Sequence, residues 1–475
     1  MIEKRNFYIN GAWTSPAKAC DITVINPSVG EPCAMISAAG EEDVNAAVNA
    51  ARAAFDSWGN TDSKTRTALL QKLLDTYNAR ADEMAELISM EMGAPRKLAR
   101  AAQVAAGDSH IRDFIQALES FDFERSFAED GAIFCEPVGV CALITPWNWP
   151  MNQITLKVCA ALAAGCTTVL KPSELAPLSA MLFAEMIDEA GFPAGVFNLI
   201  NGDGAGAGTM LSGHPDIDMV SFTGSARAGA AVSKNAADSI KRVSLELGGK
   251  GANIIFADAD ENAVVRGARH CFRNTGQSCN APTRMLAERA AYDAAVAAAV
   301  KEAEQTTVDD ADKDGRHIGP AVSEAQFDKI QSLIRAGIDE GARLVAGGLG
   351  RPEGMTRGYF VRPTVFADVK PDMQIAREEI FGPVLCVMPF DSEDEAVAIA
   401  NDTVYGLANY VQTQDADKAR RVARRLRSGM VHINGSSLAG GAPFGGYKQS
   451  GNGREGGVWG LEDFLEVKAV SGWTK

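Results

Sequence analysis

The segment Val138-Gly-Val-Cys-Ala-Leu-Ile-Thr145 decides the fold class, because a regular alternation of apolar runs and helical patterns begins there. It is a short apolar run that ends at Pro146, which predicts a buried strand. Further strands are predicted downstream at Thr167–Leu170, Val196–Ile200 and Met219–Phe222. Helices are predicted at Ser179–Ala190 and Ser225–Ala237. This alternation predicts a doubly wound parallel α/β unit, with ligands at the carboxyl ends of its strands.

The sequence on both sides of this unit adds more helices and a second α/β unit. Upstream, an amphipathic helix is predicted from Glu41 to Trp58 with Glu42 or Asp43 as its cap, followed by helices at about 64–90 and 96–121. The alternation restarts after Gly248-Gly249 and continues to about residue 433. The last apolar run, 464–470, is typical of an edge strand, and we hypothesise that it pairs with another subunit.

Composition limits the classes of function. A length of 475 residues suggests roughly two or three domains. A net charge of −15 argues against general nucleic-acid binding. The first residues do not resemble a signal peptide, and no apolar run approaches the roughly 20 residues of a membrane helix. The nine cysteines include no CxxC pair and no metal-ligand spacing, which favours a reducing cytoplasm and no metal site.

Two motifs carry candidate chemistry. Phe272-Arg-Asn-Thr-Gly-Gln-Ser-Cys279 ends in a cysteine with polar neighbours, whereas other cysteines, such as Cys141 and Cys386, lie in apolar runs and are expected to be inert. Ser244-Leu-Glu-Leu-Gly-Gly-Lys250 places Glu246 before two glycines, which would let the backbone approach a ligand. A thiolate is a nucleophile and a carboxylate can accept protons, but a buried cysteine and a solvent-facing glutamate remain alternatives.

Three segments are candidates for cofactor contacts. Ser225 falls at a helix N-terminus, where free N–H groups favour a phosphate, although an ordinary serine cap has the same pattern. Lys171 and Glu174 follow a strand and could bind ribose hydroxyls, or could be solvated loop charges. The glycine-rich turn 201–208, which contains Gly204, fits the dinucleotide fingerprint only loosely.

Seven motifs occur in an order that resembles the aldehyde dehydrogenase superfamily over nearly the whole chain. They are Thr145-Pro-Trp-Asn148-Trp-Pro, Lys171-Pro-Ser-Glu174, Phe222-Thr-Gly-Ser225, Leu245-Glu246-Leu-Gly-Gly-Lys250, Gly276-Gln-Ser-Cys279, Glu379-Ile-Phe381-Gly-Pro and Pro443-Phe-Gly-Gly-Tyr-Lys-Gln-Ser-Gly451. The resemblance implies two Rossmann-like parallel α/β domains and a small β element for oligomerisation. The implied NAD-binding domain comprises 1–118 and 138–249, the catalytic domain 250–445, and the oligomerisation segment 119–137 and 455–475.

The resemblance implies NAD as the cofactor, with NADP less favoured because Glu174 would repel a 2′-phosphate. It assigns Lys171, Glu174 and Ser225 to the adenine ribose and pyrophosphate, and Glu379 and Phe381 to the nicotinamide end. Lys329 matches a further ribose contact. The full implied set is Ile144, Thr145, Pro146, Trp147, Lys171, Ser173, Glu174, Gly204, Phe222, Thr223, Gly224, Ser225, Leu247, Glu379 and Phe381.

The resemblance also implies catalytic roles. Cys279 would form a thiohemiacetal, and Asn148 with the Cys279 N–H would stabilise its oxyanion. Glu246 would activate the water that releases the acid, which separates this chain from the branch that transfers the acyl group to CoA. Lys157 and Glu455 resemble a pair that relays protons.

Residues beside the catalytic ones are expected to form the substrate pocket. By position these are Trp149, Gln153, Leu156, Ser278, Asn280, Leu438 and Phe444. No arginine is obvious as a partner for a substrate carboxylate. Both an aromatic or heteroaromatic aldehyde and a semialdehyde remain open as substrates. A semialdehyde dehydrogenase that prefers NADP is an alternative function.

Two other classes of protein are alternatives. One is a non-catalytic relative, which the intact set of motifs disfavours. The other is a thiol hydrolase that uses Cys279 and a histidine, of which His270 is the nearest in sequence. The resemblance further implies a cytoplasmic homodimer or homotetramer.

Overall fold

Two seven-stranded sheets and two three-stranded sheets form the framework of the molecule. The computed structural model describes residues 1–473, so the last two residues of the predicted segment 455–475 lie outside the described part. The strands are β1 Ile2–Lys4, β2 Phe7–Ile9, β3 Ala12–Thr14, β4 Asp21–Asn26, β5 Glu31–Ser37, β6 Glu124–Phe127, β7 Gly131–Pro137, β8 Val140–Ile144, β9 Thr167–Lys171, β10 Phe197–Leu199, β11 Met219–Gly224, β12 Arg242–Leu247, β13 Ala252–Ile255, β14 Arg284–Glu288, β15 Arg343–Ala346, β16 Thr364–Ala367, β17 Val384–Phe390, β18 Ala408–Gln412, β19 Met430–Ile433 and β20 Leu465–Ser471.

Helices cover the sheets and connect most of the parallel strands. The α-helices are α1 Glu41–Gly59, α2 Ser63–Ala79, α3 Ala81–Met92, α4 Arg96–Leu98, α5 Ala105–Ser120, α6 Pro150–Ala164, α7 Leu178–Ala190, α8 Thr209–Gly213, α9 Ala226–Ala236, α10 Ala263–Phe272, α11 Tyr292–Gln305, α12 Glu324–Asp339, α13 Gln374–Arg377, α14 Glu393–Asn401, α15 Ala416–Arg425 and α16 Gly457–Asp463. Two π-helical turns occur at Ala99–Val104 and Gly204–Gly208. Within residues 1–473, no helix is both long and apolar enough to cross a membrane.

The first large sheet has the order β12-β11-β8-β9-β10-β2-β3, and β8 to β12 run parallel. The second has the order β15-β16-β17-β14-β13-β18-β19 and is parallel except at β15. Strands such as β8 and β9 are buried along their whole length because helices cover both faces of a parallel sheet. The predicted α/β class with parallel sheets is confirmed.

The structure revises two predicted details of the helices. The residue at the N-cap position of α1 is Gly40, and the predicted Asp43 caps the helix from its first turn, where its Oδ2 accepts a hydrogen bond from the Gly40 N–H at 2.9 Å. The helix predicted at 64–90 is two helices, α2 and α3, separated at Arg80. The Arg80 guanidinium pairs with Glu83 in α3 and with Glu185 and Glu189 in α7, so long-range contacts stabilise the break.

The last strand, β20, is an edge strand as predicted, but it has a long intrachain partner. It pairs antiparallel with β7 from Leu465 opposite Pro137 to Ser471 opposite Gly131, and β6 completes the sheet. Among residues 1–473 no strand pairs with the other edge of β20, and Val467 is 66% exposed. The sheet β20-β7-β6 is the small β element that the resemblance implied for 119–137 and 455–475, whereas the sheet β1-β5-β4 was not predicted.

Candidate functional site

Cys279 follows an unusual turn at the end of α10. Asn274, Thr275 and Gly276 have φ values of 54°, 59° and 70°, a left-handed conformation that bulky residues rarely adopt. A Cβ on Gly276 would lie 2.1 Å from the Gly382 carbonyl oxygen, so only glycine fits there. The turn therefore packs the Cys279 segment against the loop that carries Glu379 and Phe381.

Two cavities of about 200 Å³ each meet at Cys279 and Gln153, which line both. The first cavity lies at the carboxyl ends of the strands of the first sheet, where α/β proteins bind ligands. Its remaining lining is Pro146, Trp147, Asn148, Thr223, Gly224, Ser225, Leu247, Gly248, Gln326, Lys329, Glu379 and Phe381. The second cavity is lined in addition by Ala106, Trp149, Asn152, His270, Arg273, Ser278, Asn280 and Phe444.

Eight of the predicted cofactor residues line the first cavity. They are Pro146, Trp147, Thr223, Gly224, Ser225, Leu247, Glu379 and Phe381. The other seven do not line it but lie in β8, β9 and β11 or in the turns after β8, β9 and β10: Ile144, Thr145, Lys171, Ser173, Glu174, Gly204 and Phe222. Lys329, which the resemblance matched less securely to a further ribose contact, also lines this cavity.

Several of these side chains already have protein partners. The buried Lys171 Nζ donates hydrogen bonds to the carbonyls of Pro172 and Gly202 and lies 3.9 Å from Glu174 Oε2. Ser225 caps α9, because its Oγ accepts from the Ala228 N–H at 3.3 Å. Ser225 therefore has the ordinary capping role that the sequence had left open, at the edge of the same cavity.

The first cavity presents polar groups that suit a nucleotide. Within residues 1–473, the buried hydroxyl of Thr223, which lines this cavity, has no hydrogen-bond partner, and neither has that of Thr145, which precedes the lining residue Pro146; such buried polar atoms are uncommon. Glu379 accepts a hydrogen bond from the Gly249 N–H at 2.9 Å, and burial raises its pKa. The Phe381 ring packs edge-on against Trp147 at 5.4 Å. Hydroxyl groups, the Glu379 carboxylate and an aromatic wall are the kinds of group that a bound dinucleotide requires.

Asn148 is held beside Cys279 by a buried amide network. Its Nδ2 donates to the Gln277 carbonyl at 3.2 Å, which leaves its second N–H free to face the first cavity. Asn274 Nδ2 donates to the carbonyls of both Asn148 and Gln277, at 3.0 and 3.2 Å. Gln103, in the π-helical turn, donates to Asn274 Oδ1 at 3.2 Å. The sequence suggested no role for Gln103 or Asn274, and only Asn274 lies inside a motif.

Glu246 is a buried carboxylate without a hydrogen-bond partner among residues 1–473. Burial raises its pKa well above the usual range, and the nearby carboxylate of Glu455 raises it further. Glu455 forms a buried ion pair with Lys157, whose Nζ also donates to Ser221 Oγ at 3.0 Å. The predicted Lys157–Glu455 pair therefore exists, and its electric field acts on Glu246.

The surroundings of Cys279 favour the neutral form of its thiol. Burial raises the pKa of the thiol, and the carboxylates of Glu379 and Glu246 raise it further. The backbone N–H groups of Cys279 and Asn280 lower it, but by less. The two N–H groups therefore already favour negative charge at the sulfur, which is what a nucleophilic thiolate requires.

The predicted substrate residues do not all share one space. Trp149, Gln153, Ser278, Asn280 and Phe444 line the second cavity with Cys279, and Trp149 Nε1 donates to Ser278 Oγ at 2.8 Å. Leu156 is buried on α6 and lines neither cavity, while Leu438 lines an adjoining outer cavity.

Two residues of α10 and the following turn line the second cavity although the sequence had not assigned them to it. Arg273 is one of them, whereas no arginine was obvious from the sequence as a partner for a substrate carboxylate. His270 lines the same cavity, and within residues 1–473 no hydrogen bond joins it to Cys279. Burial, with smaller contributions from His432 and Arg273, lowers the pKa of His270 to about 4. His270 is therefore poorly suited to deprotonate the thiol in a hydrolase.

Known proteins resemble this chain along its length. A model of the aldehyde dehydrogenase family matches residues 13–470. A 3-succinoylsemialdehyde-pyridine dehydrogenase from a Pseudomonas species is 52% identical, with 100% of this chain and 99% of that protein covered. The crystal structure of an aldehyde dehydrogenase from Bartonella henselae is 60% identical, with a TM-score of 0.99 and 99% and 100% of the two chains covered. A cysteine-to-alanine mutant of aldehyde dehydrogenase C from Pseudomonas syringae, in complex with NAD⁺ and octanal, is 51% identical, with a TM-score of 0.98 and coverage of 99% and 97%.

Proposed function

The chain belongs to the aldehyde dehydrogenase family, and we propose that it oxidises an aldehyde to a carboxylic acid with NAD, using Cys279, Asn148 and Glu246. One observation carries the proposal: Cys279 lies where the two cavities meet. The cavity with Glu379 and Phe381 suits the cofactor, and the other suits the aldehyde. The thiol can therefore reach both at once.

In the first step the Cys279 thiol loses its proton to water in the cavity, and the resulting thiolate adds to the aldehyde carbon. The new C–S bond converts the carbonyl oxygen into an oxyanion, and the second N–H of Asn148 and the backbone N–H of Cys279 would donate to it. Gln103 and Asn274 keep Asn148 in place, so the donor needs no reorganisation during the reaction. NAD, when bound, accepts the hydride that leaves the former aldehyde carbon.

The second step is hydrolysis of the resulting thioester on Cys279. Glu246 removes a proton from water, the oxygen adds to the acyl carbon, and the C–S bond breaks to release the acid and the Cys279 thiolate. We assign proton exchange with Glu246 to the Lys157–Glu455 pair, because that pair is buried and influences the carboxylate.

Glu174 supports NAD rather than NADP as the preferred cofactor. It follows β9 and is partly exposed, 3.9 Å from Lys171 Nζ, at the strand end where an adenine ribose is expected. A carboxylate there accepts hydrogen bonds from ribose hydroxyls and repels a 2′-phosphate.

The proposal is tested by NADH formation with a panel of aldehydes. The panel contains aliphatic and aromatic aldehydes, semialdehydes and 3-succinoylsemialdehyde-pyridine, each with NAD and with NADP. We expect aldehyde oxidation with a kcat/KM that is higher for NAD than for NADP. We expect Glu174→Gln to reduce the ratio of these two kcat/KM values. A folded protein that reduces neither cofactor with any aldehyde would contradict the proposal, and a hydrolase would be favoured only if such a protein still hydrolysed thioesters.

We further propose the domain and subunit arrangement. Residues 1–118 and 138–249 contain the first large sheet and would form the NAD-binding domain, while 250–445 contain the second and would form the catalytic domain. The free edge of β20, with Val467 exposed, would pair with a second copy of the chain.

Light scattering after gel filtration tests the subunit proposal. We expect the wild-type chain to run as a dimer or tetramer and Val467→Lys to dissociate it, because an exposed lysine on an edge strand opposes pairing. Lys468→Arg, which keeps the charge of its neighbour, is the control. A wild-type monomer, or a Val467→Lys protein that keeps its assembly, would refute the role of β20.

A further inference from the structure

Glu91 is a fully buried carboxylate that lines neither cavity at Cys279 and has no part in the reaction steps above. It lies one residue before the end of α3, where the helix dipole disfavours a negative charge. Its own helix therefore does not explain its presence. Because a buried carboxylate is costly without hydrogen-bond donors, we looked for its partners in other segments of the chain.

The partners of Glu91 are the first backbone N–H groups of α7. Glu91 Oε2 accepts a hydrogen bond from the Leu178 N–H at 2.5 Å, and Oε1 accepts one from the Ser179 N–H at 3.0 Å. The first N–H groups of a helix have no partner inside the helix, and a side chain at the N-cap position often accepts from them. In α7 that position holds Pro177, whose side chain has no acceptor. Glu91 therefore caps α7 from another helix.

The loop 172–177, between β9 and α7, carries Glu174, which the resemblance assigned to the adenine ribose. The start of the loop is held by Lys171, whose Nζ donates to the Pro172 carbonyl at 2.8 Å. The end of the loop leads directly into the turn of α7 that Glu91 caps. The loop is therefore held on both sides of Glu174, which is itself partly exposed.

We infer, building on the function proposed above, that Glu91 is a positioning residue for NAD: by capping α7 it fixes the loop 172–177, so that Lys171 and Glu174 meet the adenine ribose. A loop that is already ordered loses less conformational entropy when the cofactor binds. Loss of the cap should therefore weaken NAD binding and the discrimination against NADP. The chemical steps take place at Cys279, which does not contact this loop in the first cavity, and they should be affected much less.

The test measures NAD binding by calorimetry, and steady-state kinetics with both cofactors, in Glu91→Gln. Glutamine keeps the size of the side chain but replaces one acceptor oxygen by an NH₂ group, so one of the two N–H groups of α7 loses its partner. We expect the Kd for NAD to rise about 5- to 20-fold and kcat at saturating NAD to change by less than about 3-fold. The ratio of kcat/KM for NAD to that for NADP should fall.

The measurements are made at about pH 8.5, because burial raises the pKa of Glu91 to about 7 and the carboxylate must be ionised in the wild-type protein. Hydrogen exchange supplies a readout without catalysis. In Glu91→Gln, the amides of Leu178 and Ser179 should exchange faster than in the wild-type protein.

Two further variants serve as controls. Glu91→Asp keeps the charge on a shorter side chain, so its Kd for NAD should lie between those of the wild type and Glu91→Gln. Asp415→Asn alters a carboxylate cap in the other half of the chain, where Asp415 Oδ1 accepts from the Asp417 and Lys418 N–H groups at the start of α15. This variant should leave the Kd for NAD unchanged.

The outcomes separate this inference from the proposed function. A Glu91→Gln protein that binds NAD with wild-type Kd overturns the inference and leaves aldehyde oxidation standing. An equal loss of NAD affinity in Asp415→Asn also overturns it, because the effect would then be one of general stability. If Glu91→Gln does not fold, Glu91→Asp decides, and a wild-type Kd in that variant overturns the inference. A wild-type chain that binds neither NAD nor NADP contradicts the proposed function itself.

Discussion

Replacing Cys279 by alanine is expected to abolish NADH formation while NAD still binds with wild-type affinity. The thiol forms the only covalent bond between enzyme and substrate in the proposed reaction, so its loss should lower kcat by at least about 10⁴-fold, as in other enzymes that lose their nucleophile. The cofactor groups around Glu379 and Ser225 do not depend on the sulfur. Stopped-flow absorbance at saturating aldehyde measures the chemistry, and calorimetry measures NAD binding.

Cys271→Ala is the matched control for this variant. Cys271 lies on α10, is fully buried, and donates from its Sγ to the Val384 carbonyl outside both cavities. Its replacement should cost some stability and leave kcat near the wild-type value. A Cys279→Ala enzyme with wild-type turnover would disprove the assignment, and loss of activity in both variants would point to folding rather than chemistry.

The sequence predicted the fold and the candidate catalytic residues because both depend on local patterns. Buried parallel strands are short apolar runs, so β8, β9 and β11 were placed to within two or three residues. The turn beside Cys279 requires glycine at position 276, because a Cβ there would collide with the Gly382 carbonyl oxygen. This requirement is visible in the sequence motif. The three proposed catalytic residues, Cys279, Asn148 and Glu246, all lie inside sequence motifs of this kind.

The features that the sequence did not predict depend on distant contacts. Arg80 breaks a helix-like pattern because it pairs with glutamates of α7 about a hundred residues later. Arg273 stands in the sequence motif of Cys279, but only the left-handed turn at Asn274 and Thr275 shows that its side chain reaches the cavity. Gln103 enters the amide network from a π-helical turn, which has no sequence pattern of its own.

Replacing Glu246 by glutamine is expected to stop the reaction after the first half. Formation of the thioester does not require the carboxylate, so NADH should appear in a burst of about one equivalent per active Cys279. Loss of a general base should then slow thioester hydrolysis, and with it steady-state kcat, by roughly 10²- to 10⁴-fold. Rapid-quench mass spectrometry should detect the acyl group on Cys279. A variant without a burst would show that Glu246 acts earlier, for example on the thiol.

The pH dependence of hydrolysis tests the environment of Glu246. The carboxylate must lose its proton before it can act as a base, and its pKa is raised, so kcat limited by hydrolysis should rise as pH increases through that pKa. Glu246→Gln should remove this rise. Glu455→Gln removes a negative charge that raises the Glu246 pKa, so the rise should move to lower pH. Glu462→Gln, an exposed carboxylate on α16, is the control and should leave the profile unchanged. A profile that stays in place or moves to higher pH in Glu455→Gln would contradict an electrostatic effect of Glu455 on the Glu246 pKa.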